Sequence, residues 1–296
     1  MNSSGIMLPK EGEPVIVQGI TGRYGSLHTK LMLQYGTNVA AGVTPGKAGE
    51  RVEGVPVYDR VADAVEKTGS RCSILFVPAP FFYSAAEEAM QAGVKLLVAI
   101  TERVPIRDTL KMIALAERHG ATVVGPNTPG LIVPARKVKL GIMPASSFRP
   151  GRLALFSRSG TLMYEIANQL STHGFGQCVA VGIGGDPING TTITDFFDWA
   201  RDFEGADAVV AVGEIGGDAE EILAKHIVET GFSKPVFAYI AGRAAPEEKR
   251  MGHAGAIIYG GYGTAESKIS ALKDAGAHVG MTPMEIPLLV ERYLRK

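Results

Sequence analysis

Short apolar runs alternate with helix-period segments along the whole chain, and this alternation limits the possible folds more than any other feature. In the first half, the runs lie at 14–20, 38–43, 72–78, 95–101 and 121–126, with helix-like stretches at 25–35, 59–68, 80–92 and 106–119. In the second half, the runs lie at 152–158, 177–184, 208–215, 234–242 and 277–281, with helix-like stretches at 160–173, 191–203, 218–230, 264–275 and 283–295. Such alternation is typical of βα units built around parallel sheets. We therefore predict an α/β protein with two doubly wound, Rossmann-like domains.

The boundary between the two domains is predicted in a stretch rich in proline and glycine, PNTPGLIVPARK, at 126–137. A chain of 296 residues is long for one domain and sufficient for two, each with its own core. We expect a first domain over 1–130 and a second over 131–296.

Charge and apolar patterning exclude several classes of protein. Lys plus Arg and Asp plus Glu both number 30, so no net field favours nucleic acid or an anionic membrane. No apolar run approaches the roughly 20 residues that span a bilayer, and the first residues lack the pattern of a targeting leader. Cys72 and Cys178 each sit in an apolar run, which indicates buried thiols rather than a disulfide framework. We expect a cytoplasmic protein that binds neither nucleic acid nor membrane.

The first apolar run ends in a glycine-rich turn with the spacing GxxGxxG, formed by Gly19, Gly22 and Gly25. Such a turn before a helix brings backbone N–H groups to a phosphate, although a purely structural turn has the same appearance. An NAD-binding domain usually carries an acidic residue at the end of its second strand. Here Lys47 follows that strand, which suits an extra ribose phosphate such as the 3′-phosphate of coenzyme A or the 2′-phosphate of NADP.

Three polar, glycine-rich tips follow apolar runs of the second half. One carries Ser157, Ser159, Gly160 and Thr161 at the start of a helix, where hydroxyls are ordinary N-caps or part of an anion site. The segment VGIGGDPING forms the second tip, and VGEIGGD forms the third, with Glu214 at its end. Because parallel strands end at one edge of a sheet, we expect these tips to converge on one crevice.

His253 lies between glycines in KRMGHAGAII, and three roles are open to it. A metal site is not expected, because no other histidine has metal-like spacing to it. A satisfied structural histidine is the simplest alternative. The third role is a nucleophile toward phosphate, which requires a carboxylate to hold the other ring nitrogen, and Glu214 is the candidate.

Several motifs in the same order give the sequence a resemblance to the alpha subunits of succinyl-CoA synthetases. They are GITGRYGSLH, AGVTPGK, FVPAP, PNTPG, SRSGTLMYE, VGIGGDPING, GEIGG and KRMGHAGAII, spread over residues 14–275. The resemblance implies an N-terminal CoA-binding domain and a C-terminal, flavodoxin-like domain that carries a phosphohistidine.

The resemblance also implies roles for particular residues. His253 becomes phosphorylated, Glu214 orients it, and Tyr164 lies near the organic acid. Ser159, Gly160 and Thr161 hold the phosphate at a helix N-terminus. Coenzyme A contacts Thr21, Gly22, Arg23 and Tyr24, with Lys47, Val77, Pro78, Ile100, Thr101 and Glu102 nearby.

The implied reaction forms an acyl-CoA from a carboxylic acid, coenzyme A and a nucleoside triphosphate, through a phosphohistidine and an acyl phosphate. The chain lacks a Walker A motif. A beta subunit with an ATP-grasp domain is therefore expected to bind ATP or GTP with Mg²⁺, in an αβ or α2β2 assembly.

Five positions depart from the family pattern. Arg103 stands where the family has glycine, and Thr128 stands where it has cysteine. Glu247 and Glu248 precede the histidine motif in place of small or basic residues, and Tyr262 replaces a lysine.

Three alternatives to a succinate ligase stay open in the sequence. A sibling ligase acting on malate or citrate would use the same chemistry on another acid. An NADP-dependent oxidoreductase would need His253 as its acid or base. A CoA-binding protein without catalysis would not need His253 at all.

Overall fold

The computed structural model describes residues 5–246, 248–249 and 251–294, and these form two compact units. The N-terminal unit contains Gly5–Ala145 and Ile188–Thr191. The C-terminal unit contains Ser146–Pro187 and the chain from Thr192 onward. Among the described residues, no helix is long and apolar enough to cross a membrane.

The first sheet has seven strands in the order β3-β4-β2-β1-β5-β6-β7. The strands are β1 (Val15–Gln18), β2 (Val39–Val43), β3 (Arg51–Val52), β4 (Val55–Tyr58), β5 (Cys72–Leu75), β6 (Leu96–Ala99) and β7 (Thr122–Val124). All neighbours are parallel except β3 and β4, which are antiparallel. Without β3, the order corresponds to 3-2-1-4-5-6 in chain order, which is the dinucleotide-binding arrangement.

Four α-helices belong to the N-terminal unit: α1 (Arg23–Tyr35), α2 (Val61–Thr68), α3 (Phe82–Gln91) and α4 (Ile106–His119). Apolar residues of α2, α3 and α4 pack with strand residues in one core cluster. On α3, for example, Phe82, Ala86, Ala89 and Met90 recur at helical spacing and are almost fully buried. These helices therefore follow the amphipathic pattern predicted from the sequence.

The second sheet has the order β14-β13-β12-β10-β11-β8-β9. Its strands are β8 (Gly130–Val133), β9 (Val138–Gly141), β10 (Pro150–Ser157), β11 (Gln177–Gly182), β12 (Ala208–Glu214), β13 (Val236–Ala241) and β14 (His278–Gly280). The five strands β10 to β14 correspond to the order 2-1-3-4-5, which is the flavodoxin-like arrangement. The predicted pair of Rossmann-like folds is confirmed.

Five α-helices follow in the C-terminal unit: α5 (Gly160–Thr172), α6 (Ile193–Asp202), α7 (Ala219–Thr230), α8 (Ala265–Asp274) and α9 (Glu285–Leu294). Aromatic side chains fill part of the space between α6 and the sheet. The Phe156 ring of β10 lies 5.2 Å from that of Phe196 and 6.0 Å from that of Phe197, between centroids. All three rings are fully buried.

Two short antiparallel hairpins were not predicted. One joins β3 to β4 through Glu53 and Gly54, both with positive φ, which is the backbone of a tight two-residue hairpin turn. The other joins β8 to β9, inside the stretch taken as the domain boundary. Each is short and close to prolines, so its period-2 signal was weak.

The domain boundary near residue 130 stays a prediction. Strands β8 and β9 belong to the second sheet by strand order, while their residues fall within the N-terminal unit.

Cys72 and Cys178 are free and buried, as expected from their apolar runs. Burial raises the pKa of both thiols, that of Cys178 to about 11.

Candidate functional site

The C-terminal unit holds a histidine paired with a buried carboxylate. His253 Nδ1 lies 2.9 Å from Oε1 and 2.8 Å from Oε2 of Glu214. The Glu214 side chain is only 8% exposed, whereas that of His253 is 29% exposed. A carboxylate in this position accepts the Nδ1–H and fixes the tautomer, which makes Nε2 the nitrogen available for chemistry.

Strand topology explains why Glu214 lies there. Glu214 is the last residue of β12, and Ser157 is the last residue of the neighbouring strand β10. The chain adds β11 on one side of β10 and β12 on the other, so the strand order reverses here, and the carboxyl ends of these parallel strands form the topological switch point where α/β sheets bind ligands. The predicted convergence of the tips carrying Ser157 and Glu214 follows from this pairing.

Two glycines allow the histidine loop to approach the sheet edge. A Cβ on Gly185 would lie 2.5 Å from Cδ2 and 2.6 Å from Cγ of His253, so the backbone of Gly185 packs against the imidazole ring. A Cβ on Gly216 would collide with the carbonyl of Gly255, two residues beyond the histidine. Gly216 N–H also donates to the carbonyl of Gly263 at 2.8 Å. The imidazole and the loop that carries it therefore pack closely against the backbone of Gly185 and Gly216.

Arg158 is a buried cation beside this pair. Its Nε lies 3.8 Å from Glu214 Oε1, and its side chain is 8% exposed. A Cβ on Gly255 would lie 3.0 Å from Arg158 Nη2, so the guanidinium also faces the histidine loop. A buried arginine at this position offers several N–H donors to an anion.

Neighbouring groups shift the pKa of the His253 imidazole. The hydrogen bond from Glu214 raises the pKa of His253 above its ordinary value of 6.5, while burial opposes this. Among the smaller effects, Arg158 lowers that pKa and the buried Asp186 raises it.

Helix α5 begins at the predicted phosphate loop. Ser159 is the N-cap, and its side chain accepts from Leu162 N–H at 3.4 Å. Ser157 Oγ accepts from Ser159 N–H at 3.1 Å and donates to the Ser159 carbonyl at 2.7 Å. Gly160 and Thr161 then form the first turn, where amides have no acceptor within the helix and the helix dipole favours an anion.

Tyr164 lies one turn further along α5 and is partly buried. Its ring makes an edge contact with Phe148, with centroids 6.5 Å apart. Burial raises the pKa of Tyr164 to about 12. The phenol therefore stays protonated at neutral pH and is able to donate a hydrogen bond.

A pocket of about 600 Å³ opens in the N-terminal unit at the start of α1. It is lined by Thr21, Gly22, Arg23 and Tyr24 of the glycine-rich turn, and by Val77 and Pro78 after β5. It lies at the carboxyl ends of β1 and β5, which is the switch point of this sheet.

Close packing shapes the glycine-rich turn. Gly22 N–H donates to the Gly19 carbonyl at 3.0 Å, and a Cβ on Gly25 would collide with that carbonyl. Thr21 Oγ1 donates to Thr44 Oγ1 at 3.1 Å, which ties the turn to the end of β2.

A second pocket of about 430 Å³ shares Tyr24, Val77 and Pro78 with the first. It is also lined by Ile100, Thr101 and Glu102, the residues after β6 that the resemblance placed near coenzyme A. The structure thus places nine of the ten predicted CoA residues around two neighbouring pockets.

Lys47 is the predicted CoA residue that lines neither pocket. It is exposed, and its Nζ pairs with Glu50 at 2.9 Å, a hydrogen bond that raises the pKa of the lysine. Its loop neighbours Thr44 and Pro45 do line the larger pocket.

The departures from the family pattern have different structural settings. Arg103 adopts φ +59°, a left-handed conformation that favours glycine. Thr128 is buried, and its Oγ1 accepts from Gly130 N–H at 2.9 Å. Glu248 is exposed with φ +58°, Tyr262 pairs with Tyr259 in a short bridge, and Glu247 lies outside the described residues.

Sequence reasoning missed several residues of the site. Arg158 lies within the quoted SRSG motif but was passed over for its neighbours. Gly185 was noted only as part of a glycine-rich tip, and its contact with the ring is a tertiary feature. Glu220 and Lys268, described below, carry no sequence signal beyond their charge. Within the described residues, no group of three or more His, Cys, Asp or Glu side chains could hold a metal ion.

Two family models match the chain, one over most of the pocket residues and one over the histidine loop. Residues 10–103 match the model of a CoA binding domain, and residues 156–278 match that of a CoA-ligase. The ADP-forming succinate–CoA ligase subunit alpha 2 of Archaeoglobus fulgidus is 54% identical, over 96% of this chain and 98% of the relative. The alpha subunit of the same ligase from Aquifex aeolicus is 50% identical, over 98% and 95%.

A solved structure of ATP citrate lyase from Methanothrix soehngenii, in complex with citrate and coenzyme A, has the same fold. It aligns with a TM-score of 0.88 at 22% identity, over 98% of this chain and 52% of that chain. This chain therefore spans about half of the citrate lyase chain, and the likeness concerns the fold alone.

The two domain models and the carboxylate-held histidine together define a CoA ligase. Sequence identity of 54% and 50% to the two relatives, over nearly the full length, defines the family more narrowly than the domain models do. The chain belongs to the family of succinate–CoA ligase alpha subunits. The relatives quoted all carry succinate in their names, so the malate and citrate alternatives are not favoured.

Proposed function

We propose that this chain is the alpha subunit that forms succinyl-CoA from succinate, coenzyme A and a nucleoside triphosphate. The observation that carries the proposal is the contact between His253 Nδ1 and the Glu214 carboxylate at 2.8 Å. A histidine held in this way presents Nε2 as a nucleophile, and its counter-charge is already in place.

In the first step, Nε2 of His253 attacks the terminal phosphoryl group of the nucleotide, and the nucleoside diphosphate leaves. As the N–P bond forms, positive charge develops on the ring, and Glu214 stabilises it. Arg158 and the first turn of α5, with Ser159, Gly160 and Thr161, are the anion-binding groups we assign to the phosphoryl oxygens.

In the second step, a carboxylate oxygen of succinate takes the phosphoryl group from His253 and becomes an acyl phosphate. The protonated phenol of Tyr164 is the donor we assign near this acid. The sulfur of coenzyme A then attacks the acyl carbon, and inorganic phosphate leaves. The acyl phosphate is needed because a free carboxylate has no adequate leaving group.

The two pockets of the N-terminal unit are assigned to coenzyme A. The backbone of the turn at Thr21, Gly22, Arg23 and Tyr24 suits the pyrophosphate, since it opens α1 at a helix N-terminus. Val77, Pro78, Ile100, Thr101 and Glu102 continue the surface toward the second pocket. Lys47 would have to leave Glu50 to reach the 3′-phosphate, a movement that an exposed ion pair permits at little cost.

A beta subunit with an ATP-grasp domain is the partner that we assign to the nucleotide and its Mg²⁺. The subunit names of the relatives support a partner, and the term ADP-forming favours ATP over GTP. The assembly, αβ or α2β2, and a cytoplasmic location stay predictions.

Two rival functions keep clear experimental signatures. An NADP-dependent oxidoreductase would bind NADP in place of coenzyme A in the larger pocket, so tight binding of coenzyme A without binding of NADP would remove it. A CoA-binding protein without catalysis would lose nothing but stability on loss of the imidazole. The buried Glu214 partner, with its 8% exposure, supports a working histidine over this second rival.

The test is phosphoryl labelling of the chain together with its beta partner. The complex is incubated with γ-labelled ATP or GTP, and acid-labile, base-stable label is sought on this chain. Label that is absent from the His253→Ala variant and is discharged by succinate plus coenzyme A is the expected result. Label discharged only by malate or citrate would move the assignment to a sibling ligase, and absence of label with a competent partner would reject the proposal.

A further inference from the structure

A second charged cluster lies against the backbone of Glu214. Lys268 of α8 is completely buried, and its Nζ contacts the carboxylate of Glu220 in the first turn of α7. The same Nζ lies 3.2 Å from Glu221 Oε2. Glu220 is 2% exposed, so both members of the main pair are withdrawn from water.

Glu220 also reaches the strand that carries the histidine's partner. Its Oε1 accepts a hydrogen bond from the backbone N–H of Glu214 at 3.3 Å. A Cβ on Gly213 would collide with the Glu220 carboxylate, so the strand end packs directly on it. The two oxygens of Glu220 thus divide their contacts, one with the Lys268 ammonium and one with the backbone of Glu214.

A buried ion pair of this kind is expensive to form. Removing two charges from water costs several kcal/mol per ion, and apolar residues of equal size often serve stability as well or better. Burial alone therefore does not explain the pair. The contacts of the pair offer an explanation: Glu220 holds the backbone N–H of Glu214, and the Glu214 side chain contacts His253.

We propose that Glu220 and Lys268 are positioning residues for phosphoryl transfer, acting on His253 through the backbone of Glu214. Lys268 holds the Glu220 carboxylate, the carboxylate holds the N–H of Glu214 at the end of β12, and the Glu214 side chain then meets His253 Nδ1. Neither residue contacts a reactant. The inference deepens the proposed function and rests on it for its catalytic consequence, although the geometric part stands without it.

The main test uses the double variant Glu220→Gln/Lys268→Met, which removes both charges, preserves volume and leaves no buried charge unpaired. The titration of the His253 ring is followed by NMR in the isolated full-length chain, with Glu214→Gln as reference. If the pair positions Glu214, the His253 midpoint moves down toward that of Glu214→Gln. Glutamine at position 220 keeps an oxygen that can accept from Glu214 N–H, so Glu220→Ala is titrated beside the double variant. Wild-type midpoints in both folded variants would overturn the proposal. This readout needs neither nucleotide nor partner, so its failure is distinguishable from failure of the proposed function.

Phosphorylation kinetics give the second readout. With the beta partner and saturating ATP, we expect the double variant to be phosphorylated on the order of tenfold more slowly, as for other outer-layer partners of functional groups. CoA affinity, measured by calorimetry, should not change. Glu220→Ala, which also removes the acceptor for Glu214 N–H, is expected to be slower still, and wild-type rates in both variants would contradict the proposal.

The matched control lies on the same helix. Lys225 and Glu229 form an exposed pair on α7, with side chains 74% and 61% exposed and 3.5 Å between the charged atoms. Lys225→Met/Glu229→Gln likewise removes one positive and one negative charge, both from α7, without touching β12. It should leave the His253 midpoint and the phosphorylation rate unchanged, and an equal effect in both double variants would assign the change to the loss of any ion pair rather than to the position of this one.

Discussion

Both carboxylate oxygens of Glu214 lie within hydrogen-bonding distance of the same nitrogen of His253, at 2.9 Å and 2.8 Å. The carboxylate is therefore centred on Nδ1 and faces the ring from the sheet edge. With Nδ1 occupied in this way, one ring nitrogen serves orientation and the other serves chemistry.

Removing the imidazole separates catalysis from CoA binding. We expect His253→Ala to abolish phosphoryl labelling and acyl-CoA formation, because the imidazole is the group that carries the phosphoryl group in the proposed mechanism. CoA affinity should stay within about twofold of wild type, since residues without shared contacts couple weakly and none of the described residues of the histidine loop lines either pocket. Calorimetry with coenzyme A and a coupled assay with the beta partner provide the two measurements, and retained turnover would reject the phosphohistidine mechanism.

Replacing Glu214 by glutamine should change the pH dependence of phosphorylation. The Glu214 hydrogen bond raises the pKa of His253 above 6.5, and only the neutral ring is a nucleophile. In the wild type, the rate of phosphorylation therefore rises with pH through a midpoint above 6.5. In Glu214→Gln, burial and Arg158 are left to lower the pKa, so the midpoint moves to lower pH while the maximal rate falls.

The same pair has a consequence for stability. A pKa that is raised in the folded state stabilises the protein below the unfolded value, and the gain disappears as pH rises through the folded value. Urea denaturation of wild type and Glu214→Gln should therefore differ more at pH 6, just below the ordinary histidine pKa of about 6.5, than at pH 9, well above it. Equal differences at both pH values would argue against the ion pair.

Alanine at Gly185 should displace the histidine. The added methyl group would lie 2.5 Å from the imidazole, so either the ring or the backbone must move. A shift of about 1 Å can cost about a hundredfold in rate, and we expect a loss of tenfold or more in phosphorylation. Gly231→Ala is the control, because that position has φ +60° and open space around it. Its variant should lose some stability and keep the wild-type phosphorylation rate.

Glycine at position 103 should relieve backbone strain. Arg103 has φ +59°, a conformation that costs an L-residue about 1–2 kcal/mol, partly offset by the flexibility that glycine adds to the unfolded chain. We expect Arg103→Gly to raise the free energy of unfolding by up to about 1 kcal/mol. Arg107→Gly, in the first turn of α4, should lower it by about as much. Urea titration measures both, and a destabilised Arg103→Gly would show that the arginine side chain makes a compensating contact.

Both cysteines should resist thiol reagents in the folded protein. Cys72 and Cys178 are 0% and 8% exposed, and burial raises the pKa of each thiol. Ellman's reagent should therefore detect neither thiol at pH 8 until denaturant is added. Rapid labelling of either thiol in native buffer would contradict the buried placement.

Local patterns in the sequence were enough to predict the helices and most strands. Each predicted helix has a counterpart in the structure within a few residues, because an amphipathic period and a capping residue are local properties. The hairpins β3–β4 and β8–β9 were missed, because their strands contain or adjoin proline and glycine, which indicate turns rather than strands.

The residues of the candidate site also differ in how well the sequence predicted them. His253 stood out because glycines flank it, and Glu214 stood out because it ends an apolar run. Their pairing was an inference from strand topology and from the family resemblance. Lys268 is the opposite case, since a lysine in an amphipathic helix indicates an exposed residue, whereas here it is fully buried.

By itself the sequence determined the class of fold, the two glycine-rich edges and the candidate histidine, since periodicity, turn chemistry and motifs depend on neighbouring residues. Only the tertiary structure decided which atoms meet across the chain. The contacts of Glu214 with His253, of Gly185 with the imidazole, and of Glu220 with Lys268 join residues separated by 39, 68 and 48 positions. Such contacts depend on the order of strands in the sheet and on the space left by glycines, and neither is visible until the chain is folded.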